Sequence, residues 1–98
     1  MKKRRSLQFR FGPAGAPYTV TGRVAWTLAE LHRAGTAGIT AADYPGTRLS
    51  QYVHLLRRKG VHVETVRERH GGEFAGTHGR YVLRSHITII PGTADGGR

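Results

Sequence analysis

Leu49, Tyr52, Val53 and Leu56 recur at i, i+3, i+4 and i+7 within TRLSQYVHLLRRKG, residues 47–60. That spacing lays one apolar stripe along a helix of about 3.6 residues per turn. Thr47, Ser50, Gln51, His54 and Arg58 fall on the opposite side, with Arg48, Arg57 and Lys59 beside it, and none is acidic. Thr47 follows Pro45-Gly46 and is placed to N-cap the helix. Arg57, Arg58 and Lys59 occupy the last turn, where cations complement the helix dipole, and Gly60 supplies the C′ stop. The pattern predicts a helix over 47–59 with one face for a core and one face suited to a polyanion. A solvated basic face with no ligand would have the same pattern.

Ninety-eight residues are enough for one domain with a modest core, not for a large catalytic cleft. Sixteen Lys and Arg against six Asp and Glu give a formal charge of +10, which favours nucleic acid or an anionic surface as partner. Ribosome-type packing proteins share this composition. The absence of cysteine removes disulfide scaffolds, thiolate zinc sites and Cys nucleophiles, and fits a reducing compartment. No apolar run approaches the roughly 20 residues of a membrane span. The basic start, Met1 to Arg5, is not followed by the apolar stretch of a secretory signal. A cytoplasmic, nucleoid-associated protein with no membrane partner is therefore expected.

Lys2, Lys3, Arg4 and Arg5 form a basic arm, expected to be disordered and able to lie along phosphates. Leu7, Phe9 and Phe11 alternate with Gln8 and Arg10, predicting a half-buried strand over 6–11. A Gly- and Pro-rich loop, 12–17, leads to a brief extended segment, 18–20. Thr21 can N-cap GRVAWTLAELHRAG, where Val24, Leu28 and Leu31 share a face with Ala25 beside them, and Gly35 stops the helix. Trp26 lies off that stripe and is expected at the edge of the core. Ile39–Asp43, with Thr40 as N-cap, predicts a helix of about one to two turns. Tyr44-Pro45-Gly46 then turns the chain sharply into the basic helix. That succession is helix-turn-helix organisation. Alternating Val61, Val63 and Thr65 predict a strand over 61–67, and residues 70–79 a Gly-rich loop. A second strand starts at Arg80. Ile87, Ile89 and Ile90 continue it or start another, pairing with Leu7–Phe11. Residues 6–90 are expected to form the domain and 91–98 a disordered tail.

Three helices, a C-terminal β-hairpin wing and an extra N-terminal strand make an α+β winged helix-turn-helix. The chain resembles the small winged helix-turn-helix domain proteins of bacteria and their phages. The residues that carry the resemblance are GRVAWTLAELHRAG, ITAADYPGTRLSQYVHLLRRKG, VHVETV and HGGEFAGTHGRYVL, within residues 18–85. The conjunction of Leu49, Tyr52, Val53, His54, Leu56, Arg57 and Gly60 with Val63-Glu64-Thr65 and with Gly76, His78 and Arg80 to Leu83 is more specific than any one piece. The resemblance implies a duplex-DNA-binding module: a transcriptional regulator, or an accessory factor of a phage or mobile element. The second helix departs from the family pattern by its shortness, ending at Tyr44-Pro45.

In such a motif the second helix enters the major groove, its N-terminal half nearest the bases. That half offers Arg48, Ser50, Gln51 and His54 as base-reading residues, since Arg suits G and Gln suits A. Arg23, Thr47, Arg57, Arg58 and Lys59 are candidates for phosphate. Arg69, His70, His78 and Arg80 are candidates from the wing, on the backbone or in the minor groove. Each has a plainer alternative: Arg48 could pair with Asp43, Gln51 could be merely solvated, and the wing could be a loose loop.

His54, His62, His70, His78 and His86 stand eight residues apart, but this matches no structural period and their neighbours share nothing. No converging ligand set follows, so no metal, cofactor or small-molecule substrate is expected. Glu64, Glu68 and Glu73 with His70 and His78 make no recognisable catalytic motif, so no enzyme is expected. Two further readings stand beside duplex DNA: an RNA-binding or ribosome-associated basic protein, and a winged helix used for protein interaction. Single-stranded RNA needs exposed aromatics, whereas Phe9, Phe11, Tyr52 and Tyr81 fall on core faces, leaving Phe74 and Tyr44. One module buries little DNA, so tight specific binding calls for a homodimer or another partner.

Overall fold

Alternation along Ser6–Phe11 buries Leu7 and Phe9, and this strand, β1, is the centre of a three-stranded antiparallel sheet. The computed structural model describes residues 6–44, 46–70 and 76–90, without the side chains of residues 69, 70 and 76–78. The basic arm, the tip of the wing and the C-terminal tail lie outside them. β2, Pro17–Thr21, pairs with one edge of β1 and β6, Ile87–Ile89, with the other. The β1–β6 register sets Phe9 opposite Ile89, so the C-terminal isoleucines do start a new strand and pair with the N-terminal one.

Helix α1, Gly22–Ala34, follows β2 directly. Ala25, Leu28 and Leu31 are buried, as the stripe predicts, and Thr27 joins them by donating its hydroxyl to the Arg23 carbonyl one turn back, at 2.8 Å. Thr21 holds the N-cap position in extended conformation, although its side chain makes no cap hydrogen bond. Gly35 ends the helix with φ of 58°. Trp26 is half-buried at the core edge, its ring edge-on to Tyr44 at 5.0 Å.

The expected middle helix is a single 3-10 turn, Ala41–Asp43, so the described residues form two α-helices rather than three. Its start signal is real: Thr40 Oγ1 accepts from the Asp43 amide, and the Asp43 carboxylate accepts from the Thr40 amide. The turn stops because Tyr44 leaves the helical region, with φ −135° and ψ 66°. Just before it, Ile39–Thr40 is a two-residue strand, β3, opposite Tyr81 and Arg80 of a later strand, β5, Gly76–Leu83.

Helix α2, Leu49–Arg58, buries Leu49, Val53 and Leu56 and packs against α1. Its N-cap is Arg48, not Thr47, whose hydroxyl instead donates to the Tyr44 carbonyl at 2.8 Å and braces the turn. At the other end Gly60, with φ of 94°, takes the left-handed position. The Gly60 amide donates to Arg57 and the Val61 amide to Leu56, the double closure of a Schellman motif.

β4, Val63–His70, and β5, Gly76–Leu83, form the wing hairpin, with β3 on the far side of β5. The strands run further than the sequence suggests: His70 and Gly76–Gly79, expected in a loop, are in register as β-structure. Leu7, Phe9, Val20, Ala25, Leu28, Leu31, Ile39, Leu49, Val53, Leu56, Val61, Val63 and Ile87 are the buried apolar cluster, joining both sheets and both helices. Burying such side chains is the main favourable term, at about 1.5–3 kcal/mol each relative to exposure.

Candidate nucleic-acid interface

The exposed side of α2 follows from its buried side. With Leu49, Val53 and Leu56 turned inward, Ser50, Gln51, His54, Arg57 and Arg58 are turned to solvent. Arg48 at the N-cap and Lys59 at the C-cap are exposed too. The side chains of Arg48, Ser50, Gln51, His54, Arg58 and Lys59 make no hydrogen bond or ion pair with any described residue. They are therefore available on one helix face together with one another, and no acidic residue lies on α2. Arg48 does not pair with Asp43, whose carboxylate faces the Thr40 amide.

The other sequence candidates are placed differently. Thr47 is half-buried and engaged with the turn. Arg23 is exposed at the start of α1, its guanidinium 6.0 Å from the Trp26 ring centroid, within cation–π reach. Arg57 leans onto the wing strand: Nε donates to the Val63 carbonyl at 3.0 Å, and a terminal nitrogen to Thr65 Oγ1 at 2.9 Å. Arg80 is half-buried and tied down, with Nε to Glu68 Oε2 at 2.8 Å and another nitrogen to the Ala37 carbonyl at 3.1 Å. Its hydrogen bond with the Glu68 carboxylate holds the guanidinium pKa above its ordinary value. Arg69, His70 and His78 sit in β4 and β5 by backbone, with side chains outside the described residues, as are Lys2, Lys3, Arg4 and Arg5 altogether.

Among the described residues, three glutamates are paired with arginines that lie outside α2. Glu64 pairs with Arg84 at 2.6 Å, Glu68 with Arg80, and Glu30 with Arg33 at 2.6 Å. Glu64 and Glu68 do share a strand face, each answered by an arginine. Among the described residues no three His, Cys, Asp or Glu side chains converge as a metal site would need. Among the described residues no helix is long and apolar enough to cross a membrane.

Two placements escaped the sequence reading. Arg67 is exposed on β4 and, by strand alternation, shares the face of Val63 and Thr65, the side from which Arg57 approaches. The alternation Val63, Thr65, Arg67 was the signal that could have found it. Tyr44, expected to be free, is half-buried: its hydroxyl donates to Glu30 at 2.7 Å. Tyr18 is instead the exposed large hydrophobic among the described residues, 47% accessible, and its ring packs on Phe9 and Phe11.

A helix, a tight turn, a second helix with a free polar face and a β-hairpin behind it are the parts of a winged helix, a DNA-binding type of fold. Comparison with curated proteins and with solved structures finds no match. Comparison with protein families matches the winged helix domain over residues 17–93, from β2 to just past β6, leaving β1 as an N-terminal addition. The chain belongs to the winged helix domain family.

Proposed function

We propose that the protein binds double-stranded DNA with α2 in the major groove and the wing hairpin against the flanking backbone or minor groove. The observation that carries this is the outer face of α2. Arg48, Ser50, Gln51, His54, Arg58 and Lys59 lie there without partners among the described residues, on a helix whose other face is buried in the core. A face of donors with no carboxylate suits phosphates and base edges.

In this reading Arg48 and Gln51 read bases, Ser50 and His54 assist, and Arg58 and Lys59 meet phosphates. Arg23 contacts a phosphate beside α1, and the arm of Lys2, Lys3, Arg4 and Arg5 adds affinity without sequence preference. Residues 6–90 act as one binding unit. The natural role is a regulator or a phage or mobile-element accessory factor, nucleoid-associated and working as a dimer or with a partner. The protein has no catalytic role in this reading.

The test is anisotropy with a random-sequence duplex and a matched single-stranded RNA across a salt series. Duplex should bind more tightly, with affinity falling steeply as salt rises. Changing Arg58 and Lys59 together to Ala should flatten that dependence by about two in log–log slope, about one per lost phosphate contact. Tighter binding of the RNA, or a slope indifferent to the double change, would exclude α2 as the duplex-binding element.

A further inference from the structure

The three cations that close α2 do different things. Arg58 and Lys59 stand free of the described residues. Arg57 is committed to β4: Nε and a terminal nitrogen both donate to the Val63 carbonyl, and the same terminal nitrogen donates to Thr65 Oγ1. The ladder explains why that carbonyl needs a donor. The His62 carbonyl accepts from the Arg84 amide, so in an antiparallel pair the next carbonyl, that of Val63, points away from β5. β4 is the edge strand of its sheet, and this carbonyl faces the end of α2. A guanidinium has five N–H groups in a fixed fork, and the fork here spans a backbone carbonyl and a side-chain hydroxyl two residues on.

We propose that Arg57 is a positioning residue, a strut between the last turn of α2 and the free edge of β4 that sets where the wing stands relative to the outer face of the helix. Phosphate contact at this end of the helix then falls to Arg58 and Lys59, and continues along β4 through Arg67, exposed on the face that Arg57 approaches. The assignment of phosphate contacts rests on the duplex-binding reading above. The strut does not.

Hydrogen exchange on the free protein tests the strut directly. Arg57→Ala should speed exchange several-fold in the amides of β4 and β5 and leave α1 as it was. Thr65→Val, which removes one acceptor and no charge, should act the same way but less. Combining the two should give less than the product of their separate effects, because they break one interaction. Arg57→Lys, which keeps a donor, should restore part of the protection, and Arg58→Ala should exchange like wild type. Unchanged wing amides in Arg57→Ala, or acceleration spread equally into α1, would overturn the proposal.

Duplex binding supplies the second readout. Arg57→Ala should lower affinity at every salt concentration and leave the log–log salt slope unchanged, whereas Arg58→Ala and Arg67→Ala should each reduce it by about one. A slope reduced as much by Arg57→Ala as by Arg58→Ala would make Arg57 a phosphate ligand and overturn the strut. A wild-type protein that bound no duplex would sink the duplex reading, and the exchange result would still decide the role of Arg57.

Discussion

The Tyr44 hydroxyl donates to the Glu30 carboxylate at 2.7 Å, joining α1 to the turn that launches α2. Arg33 bridges the same pair, reaching Glu30 at 2.6 Å and the Tyr44 oxygen at 3.4 Å. The edge of Trp26 against the Tyr44 ring supplies the apolar half of the joint. The turn is thus anchored by a side chain on each side of it, Tyr44 to α1 and Thr47 back to the Tyr44 carbonyl.

Tyr44→Phe keeps the ring contact and removes the hydrogen bond, so it should destabilise the fold by about 1 kcal/mol. The bond to the carboxylate holds the Tyr44 pKa above its ordinary value, because ionising the phenol would set two anions together. A raised folded-state pKa means that this stabilisation is fully present below the ordinary tyrosine pKa and is lost as pH rises through the folded value. Wild type should therefore lose stability relative to Tyr44→Phe only on the alkaline side, above about pH 10. Urea unfolding of both proteins from pH 7 to 11 measures it, and a difference independent of pH would contradict the assigned cause.

Gly38 leaves no room for a side chain. Its φ is +69°, and a Cβ there would stand 2.6 Å from the Tyr81 carbonyl oxygen, where β3 meets β5. Gly38→Ala combines a left-handed backbone with a clash against another strand's main chain, which should cost more than the ~1 kcal/mol of conformation alone. The melting temperature should fall by at least several degrees for a domain of this size. Gly35→Ala is the control: its φ is also positive, at +58°, but a Cβ would meet nothing within 4 Å. It should cost distinctly less.

Phe9 is fully buried and sits opposite Ile89 in one neighbouring strand and Tyr18 in the other. Phe9→Ala would open a cavity between β2, β6 and α1, at a cost of about 3–5 kcal/mol. That is a large part of the roughly 5–15 kcal/mol that stabilises a small domain. Circular dichroism at 37 °C should show a substantially unfolded population. Retention of wild-type stability would mean that β1, which lies outside the family match, is an ornament and not part of the core.

What was legible in the sequence was local periodicity. Leu49, Val53 and Leu56 announce α2, Leu7 and Phe9 announce β1, and the isoleucines after Arg84 are too apolar for a tail, which points to pairing with β1 whether they continue the preceding strand or start another. What was illegible depends on groups distant in sequence. Ile39–Thr40 is a strand only because Tyr81 and Arg80 lie beside it, and two residues carry no periodicity of their own. The Thr40–Asp43 capping box was visible, but a box reports where a helix begins and not whether it continues past one turn. The same limit applies to the candidate site. Helical spacing placed Ser50, Gln51, His54 and Arg58 on one outer face, yet it grouped Arg57 with Arg58 and Lys59. Only the position of Val63 and Thr65 separates them.

Gln51 offers the sharpest test of base reading. It lies in the first turn and a half of α2, exposed and without a side-chain partner among the described residues, so its replacement disturbs no intramolecular bond there. A glutamine reading adenine through two hydrogen bonds discriminates by about 1–3 kcal/mol against other bases. Gln51→Ala should therefore relax selection at one position of the preferred site, at a cost of about 5- to 150-fold in affinity for that site. Affinity for random duplex and its salt slope should be unchanged, because no phosphate contact is removed. Sequence selection from a randomised duplex pool, run with wild type and Gln51→Ala, reads this directly. An equal loss on random and selected duplex would instead make Gln51 a backbone contact, and would leave Arg48 as the base reader still to be tested in the same way.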